Sequence, residues 1–186
     1  MEQVERGVIE ACQQGRVEQF KVLYDHYKDF VYNLSYRFTL HEEQAEDLTQ
    51  NIFITVYKTI KSFRFQADFS TWLYRLSLNQ LINDKKKTGV FSKLEENEAG
   101  LERKSIGSFQ DYEAGLENRE KVRLLLKPLM PEEKILLILK EAYEMEYEKI
   151  ADLLQIAPGT VKSKIHRIKE RIRKTMKNLL AEEPIR

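Results

Sequence analysis

The amino-acid sequence predicts an all-α protein: two small helical domains joined by a flexible linker. Three observations carry this expectation. Apolar residues recur at three- and four-residue steps over most of the chain, and no stretch sustains two-residue alternation. Only 7 Gly and 4 Pro occur in 186 residues, too few for a loop-rich β protein. The helical period stops near Gly89 and resumes near Leu116, which separates a domain over 1–88 from one over 116–186, with a linker over 89–115.

Taken in order, Phe20, Leu23, Tyr24, Tyr27, Val31, Leu34 and Phe38 build the first apolar stripe. The chain breaks at Thr39-Leu-His41, and a second helix is expected from Glu42, with Ala45, Leu48, Ile52, Phe53, Val56 and Ile60 inward. A third starts near Asp68-Phe-Ser-Thr71, where Asp68 or Ser70 can cap free backbone N–H groups. It presents Trp72, Leu73, Leu76 and Ile82. From Gly89 to Gly115 the chain is polar and acidic, and its Phe and Leu residues show no sustained period. Leu116, Val122, Leu125 and Leu126 restart the pattern, and Pro128 stops it. Pro131 sits where the first turn of the next helix tolerates proline. Ile135, Leu136, Ile138 and Leu139 give that helix its apolar face. Two further helices are expected over 147–154 and 158–180.

Composition narrows the partners. The hydrophobic fraction of 42% supports a core, and the charged fraction of 33% suits amphipathic helices. The net charge of +1 hides a segregation. Between Pro158 and Asn178 stand Lys162, Lys164, Arg167, Lys169, Arg171, Arg173, Lys174 and Lys177, against Glu170. Acids gather at 42–47 and 95–102. One DNA-facing surface, with other surfaces for protein partners, follows from that distribution. Cys12 is alone, and His26, His41 and His166 lack metal-ligand spacing, so neither a disulfide framework nor a metal site is expected. No signal core or bilayer-length apolar run is visible, and a soluble cytoplasmic protein is expected. No Gly-rich phosphate loop, acid pair or Ser-His arrangement stands out, so neither catalytic residues nor a cofactor are expected.

The richest segment is Glu148–Arg171, a short helix, a tight connection and a second, basic helix. That is the sequence pattern of a helix-turn-helix, whose second helix enters the major groove of DNA. Ile150, Ala151 and Leu154 point inward, and small Ala151 admits the second helix, which adds Val161, Ile165 and Ile168. The opposite face offers Thr160, Lys162, Ser163, His166, Arg167 and Lys169. Lys and Arg can pair with guanine edges or phosphates, and Ser, Thr and His can meet either. An ordinary solvent-facing basic helix would carry the same charges; the spacing, the small residue and the turn together favour DNA.

In the first domain, Asp47, Gln50, Asn51, Ile54 and Lys58 share one helical face, suited to docking on a charged helix or simply solvated. Asn79 and Asn83 can make paired hydrogen bonds to base edges, and Lys85, Lys86 and Lys87 can hold phosphates. The loop 62–67 puts Phe63 and Phe65 beside Arg64; these rings either stack on exposed bases or pack under the loop.

Three blocks resemble one family. Ala157-Pro-Gly-Thr-Val-Lys-Ser-Lys-Ile-His-Arg167 resembles the DNA-reading helix of bacterial RNA polymerase sigma factors of the extracytoplasmic-function (ECF) group, within the sigma-70 family. Ala45-Glu-Asp-Leu-Thr-Gln-Asn-Ile-Phe53 is similar to the helix that grips the polymerase clamp. Phe69-Ser-Thr-Trp-Leu-Tyr-Arg-Leu-Ser-Leu-Asn-Gln-Leu-Ile-Asn-Asp84 is similar to the helix that reads and melts the −10 element. The resemblance implies a sigma-2-like helical bundle followed by a sigma-4-like helix-turn-helix domain. It implies polymerase binding through Asp47, Gln50, Asn51, Phe53, Ile54 and Lys58. It places −10 contacts on Arg64, Phe65, Gln66, Asp68, Asn79, Asn83 and Lys85 to Lys87, with capture of a flipped base over 64–68. It places −35 contacts on Thr160, Lys162, Ser163, His166 and Arg167. The implied partners are core RNA polymerase, promoter DNA and an anti-sigma factor, which can be membrane-anchored, with no small-molecule substrate. Two positions depart from the family: Asn51 replaces the usual Glu, and Glu146 replaces the usual Ser or Thr cap. The competing readings are an operator-binding helix-turn-helix regulator that never joins polymerase, and a helical adaptor that binds protein alone.

Overall fold

The computed structural model describes residues 4–88 and 116–182, and the linker expected over 89–115 lies outside them. Every regular element among the described residues is helical. The first unit holds α1 (Arg6–Gln13), α2 (Val17–Thr39), α3 (Glu42–Thr59) and α4 (Phe69–Thr88). The second holds α5 (Leu116–Leu126), α6 (Pro131–Leu137), α7 (Tyr147–Leu154) and α8 (Pro158–Glu182).

The α2 stripe is real: Leu23, Tyr27, Val31, Leu34 and Phe38 are buried, while Phe20 and Tyr24 pack at its margin. Leu40 ends α2 in the left-handed region, φ 57°, and returns its N–H to the Tyr36 carbonyl at 2.7 Å. His41 then caps α3, its Nδ1 accepting from the Gln44 N–H at 3.5 Å. All the expected inward residues of α3, together with Ile60 just beyond it, are buried. A 3-10 turn, Ile60–Ser62, follows.

The segment before Phe20 folds as α1, whose apolar signal is too short to announce it. Ile9 and Cys12 are buried, and Gln13 Nε2 donates to the carbonyls of Ile60 and Phe63 at 3.0 and 2.8 Å. Along α4 the buried line is Phe69, Leu73, Tyr74, Ser77, Leu78 and Leu81. Trp72, Leu76 and Ile82, expected inward, sit only partly buried at its edge. The difference arises because α4 packs on α2 and α3 on one side and on α6 and α7 on another, so its buried arc is wide.

In the second unit Pro131 opens α6, and Glu133 Oε2 accepts from the Met130 N–H at 2.9 Å. Helix α6 gives way to a π turn, Ile138–Ala142, which throws Tyr143 outward toward the first unit. Helices α7 and α8 pack through Ile150, Ala151, Val161, Ile165 and Ile168, all nearly inaccessible. Small Ala151 at 2% exposure permits the close approach expected of it. Gln155, φ 55°, makes the tight turn between them.

Candidate nucleic-acid interface

Three surfaces gather the expected residues. On α8, the inward positions Val161, Ile165 and Ile168 force the opposite face outward, and Thr160, Lys162, Ser163, His166 and Arg167 are all exposed. Ser163 Oγ donates to the Thr160 carbonyl at 3.1 Å, leaving its lone pairs outward. Among the described residues no acid lies within ion-pairing distance of Lys162 or Arg167. Three other basic residues of the helix differ. Lys169 meets Glu141 at 2.8 Å, Arg171 meets Glu133, and Arg173 meets Glu170. Lys169 and Arg171 thereby brace α8 against the rest of the domain, and the Arg173 pair lies within the helix, while the charge at Lys162 and Arg167 faces water and is available to phosphates or base edges. A shallow groove runs beside this face between Tyr147, Gly159, Lys162, Ser163, His166 and Lys169. Tyr147 and Gly159 were not foreseen there. Tyr147 is fixed by Lys140, whose Nζ lies 4.7 Å from the ring centre, a contact made across the turn that joins the π turn to α7 and not along one helix.

The second surface begins at the loop before α4. Arg64, Gln66 and Asp68 are exposed. Phe63 is not: at 6% exposure it joins Phe69 and Trp72, with ring centres 5.4 and 5.5 Å away. Phe65, half-buried with φ 55°, leans on Phe63 at 4.8 Å and carries the Arg6 guanidinium 4.5 Å above its ring. One aromatic is thus core, and the other is held in a left-handed turn with a cation on its face. Asn79 and Asn83 are exposed one helical turn apart on α4. They stand roughly 16 Å or more along the helix from Asp68, by the rise of 1.5 Å per residue. Lys85, Lys86 and Lys87 continue α4, and their side chains lie outside the described residues.

The third surface is on α3. Asp47, Gln50, Asn51, Ile54 and Lys58 are exposed along one face. Phe53 holds the inward position its spacing predicts, which removes it from the docking face the resemblance gave it. It points to the opposite side, 4% exposed, with its ring 4.7 Å from Tyr24, so it supports the helix and cannot touch a partner docked on that face. Tyr57 takes its place: 50% exposed, one turn after Ile54 at 49%, its ring edge-on to Phe20 at 5.0 Å. Its helical position beside Ile54 was the available signal, but an aromatic in an apolar run reads as core until the packing is known.

No group of His, Cys, Asp and Glu among the described residues could hold a metal ion. No described helix is long and apolar enough to cross a membrane.

Both helical units match known families. Residues 23–90 match the Sigma-70 region 2 family, and residues 119–172 match the Sigma-70, region 4 family. The chain is 32% identical to the ECF RNA polymerase sigma factor SigW of Bacillus subtilis, over 96% of this chain and 100% of that protein. It is 29% identical to the RNA polymerase sigma-H factor of Pseudomonas aeruginosa, covering 96% of each. Its fold is similar to CnrH in complex with the cytosolic domain of CnrY, with a TM-score of 0.62 and 16% identity over 93% of this chain and 97% of that one. It is also similar to the sigma factor RpoE in complex with the anti-sigma factor NepR from Bartonella quintana, with a TM-score of 0.59 and 21% identity over 86% and 98%.

Proposed function

Because this chain belongs to the ECF group of sigma-70-family RNA polymerase sigma factors, we propose that its three exposed faces divide the labour of promoter opening. The chain is an alternative sigma factor that directs promoter recognition and transcription initiation with core RNA polymerase. One observation carries the assignment: region 2 and region 4 occur in order on one chain that aligns with a full-length ECF sigma factor from end to end. An operator-binding regulator or a purely protein-binding adaptor would not need the first of those regions.

In the proposed division, Asp47, Gln50, Asn51, Ile54 and Lys58, with Tyr57, dock on the polymerase clamp. Arg64, Gln66 and Asp68 surround a flipped base of the −10 element, with Phe65 as the wall of its pocket. Asn79, Asn83 and Lys85 to Lys87 hold the melted strand, whose unstacked bases offer edges and faces that duplex DNA hides. Thr160, Lys162, Ser163, His166 and Arg167 read the −35 major groove. The exposure of every one of these described residues except Phe65 supports the reading. The chain makes and breaks no bonds; polymerase does the chemistry in the cytoplasm, where the chromosome lies. An anti-sigma factor covers the same faces, as an inhibitor that competes for them.

In vitro transcription tests the function directly. Purified chain added to sigma-free core polymerase and genomic template should yield discrete start sites sharing −10 and −35 motifs. RNA synthesis no different from core alone would refute it.

A further inference from the structure

Helix α1 lies outside residues 23–90, the span that matches region 2, yet it touches the loop proposed to receive a −10 base. Arg6, Glu10 and Gln13 stand three and four residues apart, so they share one side of the helix. That side meets the loop before α4 at two levels. At the base of the loop, Gln13 Nε2 donates to the carbonyls of Ile60 and Phe63 at 3.0 and 2.8 Å. At its tip, the Arg6 guanidinium lies 4.5 Å from the centre of the Phe65 ring. That ring also leans on Phe63, 4.8 Å away and tilted by 59°. Phe65 holds φ 55°, a left-handed conformation that a residue with a bulky side chain adopts at a cost. Its contacts with Arg6 and Phe63 offset that cost.

We infer that α1 supplies a further wall of the −10 pocket: the unstacked base enters between the Arg6 guanidinium and the Phe65 ring, and Gln13 is the positioning residue that holds the loop beneath them. The inference rests on the reading of residues 64–68 as the base-capturing loop and adds two residues of α1 to it. Guanidinium planes and aromatic rings both stack on the bases of a melted strand. In the free chain the guanidinium lies over the ring as a cation–π contact, which shields the apolar face from water until a base takes its place.

Little holds Arg6 in its resting place. Its side chain is 71% exposed, and Glu10, one helical turn away, accepts from its Nε at 2.7 Å. Exposed pairs of this kind contribute little and break readily. To admit a base, the guanidinium must retreat from 4.5 Å to about 7 Å from the ring, two stacking distances of roughly 3.5 Å. Changes of rotamer in a long unbranched side chain cover that distance. The helix beneath is anchored: Ile9 and Cys12 are buried, the Val4 N–H donates to Tyr27 Oη at 3.4 Å, and the Gln13 amide ties Ile60 to Phe63. A movable cation on a seated helix can close over a base without disturbing the loop.

The test uses the full chain bound to core polymerase and a fork-junction DNA from a mapped promoter, with a single-stranded −10 segment. An abasic site is placed at each −10 position in turn, and with the unmodified chain the largest loss of affinity marks the captured base. Arg6→Ala should weaken binding of the intact strand about tenfold, and binding of the strand abasic at that position by less than about twofold. Gln13→Ala should show the same dependence on the base, at a helix content matching that of the unmodified chain. Arg6→Ala binding that equals the unmodified chain on the intact strand overturns the inference. So does an equal loss on intact and abasic strands, which would put the cation on a phosphate. Unchanged binding by Gln13→Ala overturns its positioning role. Failure of the underlying reading has a different signature. If residues 64–68 captured no base, Phe65→Ala would weaken intact and abasic strands alike, and a chain that is no sigma factor would direct no promoter-specific RNA with core polymerase.

Discussion

Individual side chains with the same charge do different work on α8. Lys162 and Arg167 face water without an acidic partner among the described residues, whereas Lys169 and Arg171 are engaged by Glu141 and Glu133. Charge reversal should therefore separate them. Lys162→Glu or Arg167→Glu should weaken promoter binding by polymerase holoenzyme by about 1–3 kcal/mol for a base-edge contact, and transcription from a mapped promoter should fall accordingly. Lys169→Ala should change the folding free energy by less than about 1 kcal/mol, as befits an exposed ion pair, and leave the promoter sequence preference unchanged. Tyr143 supplies a pH signature at the same scale. Burial pushes its phenol from 10.0 up to about 12, so the folded chain holds the proton more tightly than the unfolded one. Its contribution to stability is fully present below pH 10 and is lost as pH rises from there toward 12. Replacing Tyr143 with Phe should make the alkaline fall in denaturant midpoint shallower than in the unmodified chain.

At the scale of elements, two helix starts invite opposite expectations. Helix α7 begins at Glu146, whose side chain makes no capping hydrogen bond. Glu146→Ser should stabilise the second domain by about 1 kcal/mol, read by urea denaturation, because a hydroxyl can accept from a free N–H of the first turn. The loop entering α4 is the reverse case, already anchored by a buried ring. Phe63→Ala should cost about 3–5 kcal/mol, since the ring is enclosed by Phe65, Phe69 and Trp72. Arg64→Ala should leave stability within about 0.5 kcal/mol of the parent and reduce open-complex formation, measured by permanganate reactivity of melted thymines. The same loop shows how far periodicity reaches. Stripes such as Leu23–Phe38 were legible because many residues repeat one step. Helix α1 was not, because Ile9 and Cys12 are too few to define a period and acquire their core only from α2 and the turn after α3.

For the whole molecule, two modest binding faces on one chain gain strength when a large platform holds them at the spacing of the promoter elements. The free chain should bind promoter DNA poorly, and far better with core polymerase; equal affinity in a gel shift with and without the enzyme would contradict this. The order of blocks, the helix-turn-helix with its outward bases, and the all-α class were each written in local patterns, where a residue's neighbours at three and four steps decide its environment. Local spacing could not say that Tyr57 turns outward, that Phe63 is core while Arg64 is exposed, or that Tyr143 seats between α2 and α4. Those outcomes depend on which helices meet across tens of residues, and only the packing of the complete chain sets that.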